Sequence, residues 1–522
     1  MRRLTPRVYH AHPPLVGTID QWPALFDHVR ELGFDHVAVT PPFLPGRMAG
    51  VLAPEDGDRA HPALGEGLGA AEAVAQLAAR AGEHGLGLLV DVVVHQVAAE
   101  GVEFTADDLP DPRREPASVG AREIDLGSEA GHAHLEAWTT RVAALIEAGA
   151  RGIGVHAAHR VPEEALAALV GAADGAWVCG HAPDASPAEV AAMEGAGLDA
   201  IVGVYDGRAL SIFGAFEERG NIRLIATPER PFGRRLAAEH LDGIIRLRAA
   251  LQGVKVCGAL GDGLLVPMGY EWGARRSIDP RGGAPEEMRR LREMADGRIA
   301  AEIRAVNEFL AAEEEGEGRT LVELTDPGDP IVAMLRADAA DLDEARSARL
   351  VLANRDLGYG RSLEASSILR MAGGSFGGFE PVLGRGAVAT GERLDLEAGE
   401  VWIGRALQES PIRVTPEPGP ESALAAAAAP RLAIEKITPS VTGGFPVKRT
   451  VGDTVVVEAD IIADGHEVLE AVVRWRAGDE KDWRETPMRL IGNDRWTGSF
   501  PITRIGRHQY CIQTWIGPFA TF

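Results

Sequence analysis

Six histidines and two carboxylates fall where buried strands should end, and these are the residue types able to carry chemistry in this chain. His10 and His12 are two residues apart on a short strand, so they share one face. His95, His156, His159 and His181 follow three further apolar runs. Imidazoles in such places hold a metal or move protons. Asp91 lies near the end of one apolar run and Glu229 just after another. Two carboxyl groups facing one another are the usual requirement for hydrolysing or transferring a glycosidic bond.

The elements that must position these residues alternate regularly through residues 1–310. Val8–His12, His36–Thr40, Gly85–Val94, Ile153–Ala157, Trp177–Cys179, Ala200–Val204, Ile222–Ala226 and Leu264–Met268 read as strands, separated by amphipathic helices such as Trp22–Leu32 and Ser128–Ala148. Gly85–Val94 is an almost unbroken apolar run, as expected where a parallel strand is buried on both faces. Eight strand–helix units predict an α/β fold, a (β/α)8 TIM barrel, whose reactive groups belong at the C-terminal strand ends. Residues 311–408 change to short antiparallel strands and predict an all-β domain. Residues 409–430 are rich in Pro and Ala and read as a linker. Residues 431–522 carry alternating strands at Thr454–Ile462, Val468–Trp475, Thr486–Leu490, Trp496–Phe500 and His508–Trp515, which predicts an immunoglobulin-like β-sandwich. The sequence stops at Gly517-Pro-Phe-Ala-Thr-Phe522 and reads as an interrupted chain.

Composition bounds the partners. The chain has 522 residues, enough for about three domains. Its net charge is −24, so nucleic acid and anionic membranes would repel it. Three cysteines without metal or CxxC spacing give no disulfide framework, and no signal core or membrane-length apolar run occurs, so a cytoplasmic place is expected.

Four short segments resemble those that carry catalysis in the α-amylase family (glycoside hydrolase family 13). Asp91-Val-Val-Val-His-Gln96 is similar to the family's D-x-x-x-N-H, with His95 for Asn and Gln96 for His. Gly149-Ala-Arg-Gly-Ile-Gly-Val-His156 resembles G-x-R-x-F-R-x-D. Here His156 stands for the nucleophile and Gly154 for the arginine beside it. Trp177-Val-Cys-Gly-His181 covers the general acid's segment, with Gly180 or its neighbours at the acid's place. Ala226-Thr-Pro-Glu-Arg230 resembles N-T-P-D, with Glu229 for the stabilising aspartate. Val266-Pro-Met-Gly-Tyr-Glu-Trp-Gly273 resembles P-M-x-Y-Y-G-x-E. The resemblance implies catalytic positions at Asp91, His156, Gly180 and Glu229, and these no longer form a carboxylate set. An imidazole adduct would place positive charge beside an oxocarbenium-like centre, and glycine supplies no proton. The barrel is therefore not expected to hydrolyse or transfer glycosides by the retaining route.

The last segment resembles a narrower family. Ala433-Ile-Glu-Lys-Ile-Thr-Pro-Ser-Val-Thr-Gly-Gly-Phe-Pro-Val-Lys448, Val457–His466, Ile491–Thr497 and Gly506–Tyr510 are similar to the N-terminal domain of maltose-1-phosphate-dependent α-1,4-glucan maltosyltransferases. The resemblance implies a non-catalytic N-terminal portion of such a protein in α-glucan (glycogen) synthesis. It would serve glucan binding or assembly, with an α-glucan or maltooligosaccharide as ligand and a transferase subunit or a homodimer as partner. Candidate sugar contacts are Asp91, His95, His159, Glu229, Tyr270 and Trp272. Tyr270, Trp272 and Trp177 read more readily as core residues than as sugar platforms, and Trp475, Trp483 and Trp496 more readily as sandwich filling than as a glucan-stacking face.

Two alternatives stay open. One is a hydrolase in the barrel, glycosidic or metal-dependent. H-x-H on strand one with a histidine on strand five is similar to metal-dependent amidohydrolases, but those also want a histidine after strand six and an aspartate after strand eight. This chain offers Tyr205-Asp206 and nothing after Met268, so no metal and no cofactor are assigned. The other is a purely structural docking module.

Overall fold

The structure is a computed structural model that describes residues 6–99, 120–182, 185–205, 222–312, 320–407 and 432–517, except 327, 340–341, 343–344, 346, 373–375, 390, 442–444 and 464–467. Asp206, the segment 409–430 and the last five residues lie outside the described residues.

Eight parallel strands close into a barrel: β1 (Arg7–Ala11), β2 (His36–Val39), β3 (Gly87–Val92), β4 (Gly152–His156), β5 (Trp177–His181), β6 (Ala200–Val204), β7 (Arg223–Thr227) and β8 (Gly263–Pro267). Each pairs with its sequence neighbour and β8 returns to β1. The strands fall where apolar runs predict them, with ends shifted by at most two residues. Helices cover the outside by burying one stripe each. Helix Ala70–Glu83 buries Ala70, Ala73, Val74, Leu77 and Ala81, a three-to-four spacing. Some helix starts are fixed by side-chain caps: Ser128 accepts from the Gly131 N–H, and Asp242 from the N–H groups of Ile244 and Ile245. Two hairpins add to the connections after β2 and β3. They pair Phe43–Gly46 with Gly50–Ala60, and Gln96–Ala98 with Ala121–Glu123.

Alternation along the strands fills the barrel in layers. Val8, Ala38, Leu89, Cys179, Val202, Ile225 and Leu265 form an apolar layer inside. Two residues further along each strand come His10, Thr40, Asp91, His181, Val204, Thr227 and Pro267, the layer nearest the C-terminal mouth.

A six-stranded antiparallel sheet follows, in the order Thr320–Glu323, Ile331–Ala337, Ala348–Asn354, Val401–Ala406, Gly378–Leu383, Val388–Ala389. Its core gathers Trp402, Phe379, Leu350 and Leu352. It is bound to the barrel by Gln252, which donates to the Asn354 carbonyl at 2.7 Å, and by Arg336, which donates to the carbonyls of Leu260 and Gly261.

Residues 432–517 form two facing sheets. One has the order Leu432–Thr438, Thr454–Ala463, Arg495–Pro501, Arg489–Gly492, and the other Arg484–Pro487, Leu469–Ala477, His508–Ile516. Val455, Val457, Ala459 and Ile461 point inward against Val473 and Trp475, and Trp475 stacks on Phe500 at 5.2 Å. The single strand expected at Thr486–Leu490 is two. Pro487 ends one sheet, Met488 is buried between the sheets, and Arg489 begins a strand of the other. The leading strand Leu432–Thr438 was not expected.

Candidate functional site at the barrel mouth

The mouth layer brings three imidazoles onto one carboxylate. Asp91, at the end of β3, is 1% exposed. Its Oδ2 lies 2.7 Å from His10 Nε2 on β1 and 3.0 Å from His156 Nε2 on β4. Its Oδ1 lies 3.2 Å from His181 Nε2 on β5. An ionised carboxylate only accepts, so in this arrangement each Nε2 carries the proton. The His156 and His181 rings stack with centroids 4.6 Å apart, and His10 meets His181 edge-on at 5.8 Å. Burial alone would raise the Asp91 carboxyl, but the imidazoles outweigh it and hold the group well below the usual carboxylate range. Burial lowers His156 against the pull of Asp91.

Glycine at position 154 makes this convergence possible. A Cβ there would stand 2.2 Å from Asp91 Oδ1 and 2.8 Å from His181 Nε2. The residue that replaces the family's arginine is thus the space that Asp91 and His181 occupy. Gly180 does not face the mouth. A Cβ on it would meet Ala158, Leu198 and Met193 in the outer layer. His181, two residues after the inward Cys179, holds the inward place at the end of β5. The alternation rule contained that signal.

A second corner forms after β7 and β8. Glu229 is 4% exposed, pairs with the Arg235 guanidinium through Oε1, and accepts the Leu236 N–H on Oε2 at 2.8 Å. Burial raises its carboxyl while Arg235 opposes the shift. Arg235 also donates to the Met268 carbonyl at 2.7 Å and the Arg276 carbonyl at 3.1 Å. Both Glu229 oxygens are committed to the loop. Nothing in the sequence marks Arg235 as a buried partner.

The other candidate residues separate from these corners. His12 bonds Thr40 Oγ1 at 2.8 Å rather than Asp91, and burial pushes it down to about 3. Only one member of the H-x-H pair therefore joins the cluster. His95 is buried beside His156, His159 and Arg160, and burial, its largest influence, lowers it to about 3. His159 sits on the short turn Ala158–Arg160. Tyr270 is not a sugar platform, because its ring is buried and its hydroxyl donates to the Ala250 carbonyl at 2.7 Å. Trp272 stacks on His28 at 5.2 Å, and Trp177 borders the small cavity beneath the cluster, inside the barrel. In the sandwich Trp475 is core, while Trp483 lies under Arg476, 4.5 Å from its ring centroid.

Phe232, in the loop after β7, makes ring contacts with His10, His12 and His156 at 5.7–6.4 Å. An aromatic ring therefore packs beside the cluster.

Known proteins divide along the same lines as the molecule. Residues 430–522 match the family model for α-1,4-glucan:maltose-1-phosphate maltosyltransferase, domain N/S. The maltosyltransferase of Burkholderia pseudomallei is 31% identical over 99% of this chain and 48% of its own length. The chain resembles the N-terminal portion of a maltosyltransferase-type protein. It spans about half of that relative, and 14% of the Myxococcus xanthus maltosyltransferase, which is 47% identical over 94 residues. The barrel and following sheet share their fold with α-amylases. The enzyme from Geobacillus thermoleovorans superposes with a TM-score of 0.58 at 12% identity, covering 78% of this chain and 100% of its own. That from Malbranchea cinnamomea gives 0.57 at 15%, over 77% and 96%. At these identities the likeness concerns fold alone.

Proposed function

We propose that the chain serves α-1,4-glucan synthesis as a non-catalytic region of a maltosyltransferase-type protein, holding an α-glucan or maltooligosaccharide or assembling with transferase subunits. The observation that carries this reading is the state of the mouth. The carboxylate Asp91 is shared by three imidazoles beside Phe232, the nucleophile's position is His156, and the acid's is His181. Glu229 is neutralised by Arg235. Retaining chemistry needs a free carboxylate to attack and a second to cycle a proton, about 5 Å apart. Neither free group is present among the described mouth residues.

Calorimetric titration of the whole chain with maltoheptaose tests it, followed by maltose 1-phosphate. Saturable binding without continuing heat supports a glucan-holding role. Sustained heat or maltosyl transfer would overturn the non-catalytic reading. Absence of any signal would move the weight to assembly. That second reading has its own observation: Val456, Leu490, Ile491, Trp515 and Ile516 are exposed on the sandwich.

A further inference from the structure

We propose that His10, Asp91, His156 and His181 form a binding site for one zinc-like divalent transition-metal ion, which ties together the C-terminal ends of four barrel strands. The four ligand atoms all lie within 4.8 Å of one another. Three imidazole nitrogens and one carboxylate oxygen are a nitrogen-rich set suited to Zn²⁺, Co²⁺ or Ni²⁺. Mg²⁺ and Ca²⁺ prefer oxygen shells and are disfavoured here.

Three features separate this group from a chance cluster of polar residues. Each ligand comes from a different strand, β1, β3, β4 or β5, so backbone hydrogen bonding fixes its place rather than a loop. Strand alternation aims all four inward, while the intervening residues Tyr9, Val90, Val155 and Gly180 face the outer layer. Finally, position 154 lacks the Cβ that would occupy the space between Asp91 and His181. Substitutions that removed the retaining machinery thus coincide with those that complete a ligand set.

Four protein ligands fill a tetrahedral shell, and closed four-ligand sites are structural rather than catalytic. The ion would act as a cross-strand staple, stabilising the barrel by its binding free energy. This inference stands apart from glucan binding: a chain that ignores maltoheptaose can still bind metal, and the reverse.

The test uses the whole chain, stripped with a chelator and titrated with ZnCl₂ by calorimetry while its melting temperature is followed. The expected result is one ion per chain and a rise in melting temperature. The paired variant His156→Gln/His181→Gln should lose stoichiometric binding, and His132→Gln, at an exposed helix position, should keep it. Because the paired variant sits in the barrel interior and can misfold, the unmodified protein is also examined by X-ray absorption. Scattering from three imidazoles around the ion supports the site. Substoichiometric uptake, loss of binding in His132→Gln, or a spectrum without imidazole scattering overturns it.

Discussion

The two buried carboxylates of the barrel mouth solve one problem in different ways. Asp91 is surrounded by three imidazoles, whereas Glu229 is held by one guanidinium. The Asp91 corner is built from strand ends in the barrel interior and depends on an empty volume at Gly154. The Glu229 corner is built from a loop and depends on one arginine with three acceptors. The first is a matter of space and proton count, the second of a fixed ion pair. Both carboxylates are thus committed to protein partners, by two structural routes.

The largest expected effect restores what the α-amylase family carries at position 154. Gly154→Arg must put a Cβ, and then a long side chain, where Asp91 and His181 meet. Overpacking of that kind, with a third group forced among buried polar ones, should cost more than about 4 kcal/mol and leave the barrel unfolded. Circular dichroism and thermal melting would show it. A Gly154→Arg protein that melts like the parent would mean that the corner is loose, and the contrast with Glu229 would disappear.

The Glu229 corner should respond less, and in a way a second substitution can repair. Arg235→Met strands a buried carboxylate, a change worth about 3–5 kcal/mol. Adding Glu229→Gln removes the stranded charge and should return part of that loss. Denaturant unfolding of the two single variants and the double gives the coupling directly. If the double variant is no more stable than Arg235→Met, the ion pair is incidental and the carbonyl contacts of Arg235 hold the loop alone.

The barrel was legible because its strands are near-continuous apolar runs, a pattern that survives when catalytic residues change. The hairpin strand Gly50–Ala60 was not, since Pro54, Gly57 and four acidic or basic residues break any alternation. The strand Thr486–Leu490 was misread as one because its burial pattern does not record a change of sheet at Pro487 and Met488. At the site, all four members of the imidazole–carboxylate cluster were visible as residues, yet their convergence was not. The acid's place, read as Gly180 or its neighbours, narrows to His181 at the inward position because Cys179 and His181 share a face. The neighbouring ring of Phe232 and the counter-ion Arg235 come from a loop whose path no periodicity dictates.

The smallest effect is a pH dependence set by His61, next to His12. His61 is buried beside His12, accepts the Ala63 N–H on Nδ1 at 3.0 Å, and has no partner on Nε2. Burial lowers it from 6.5 to about 4. A lowered folded value means that the unfolded chain takes up the proton first. Stability is then complete above pH 6.5, begins to fall there, and loses its full His61 share below about pH 4. A fall from 6.5 to about 4 corresponds to about 3 kcal/mol at most. His61→Gln cannot take up that proton, so its unfolding free energy should fall less steeply between pH 6.5 and 4 than the parent's. Arg235→Met removes the group that opposes the rise of the Glu229 carboxyl, so it too should alter the slope, through Glu229. Equal slopes for the parent and His61→Gln would show that charged His61 finds solvent in the folded state.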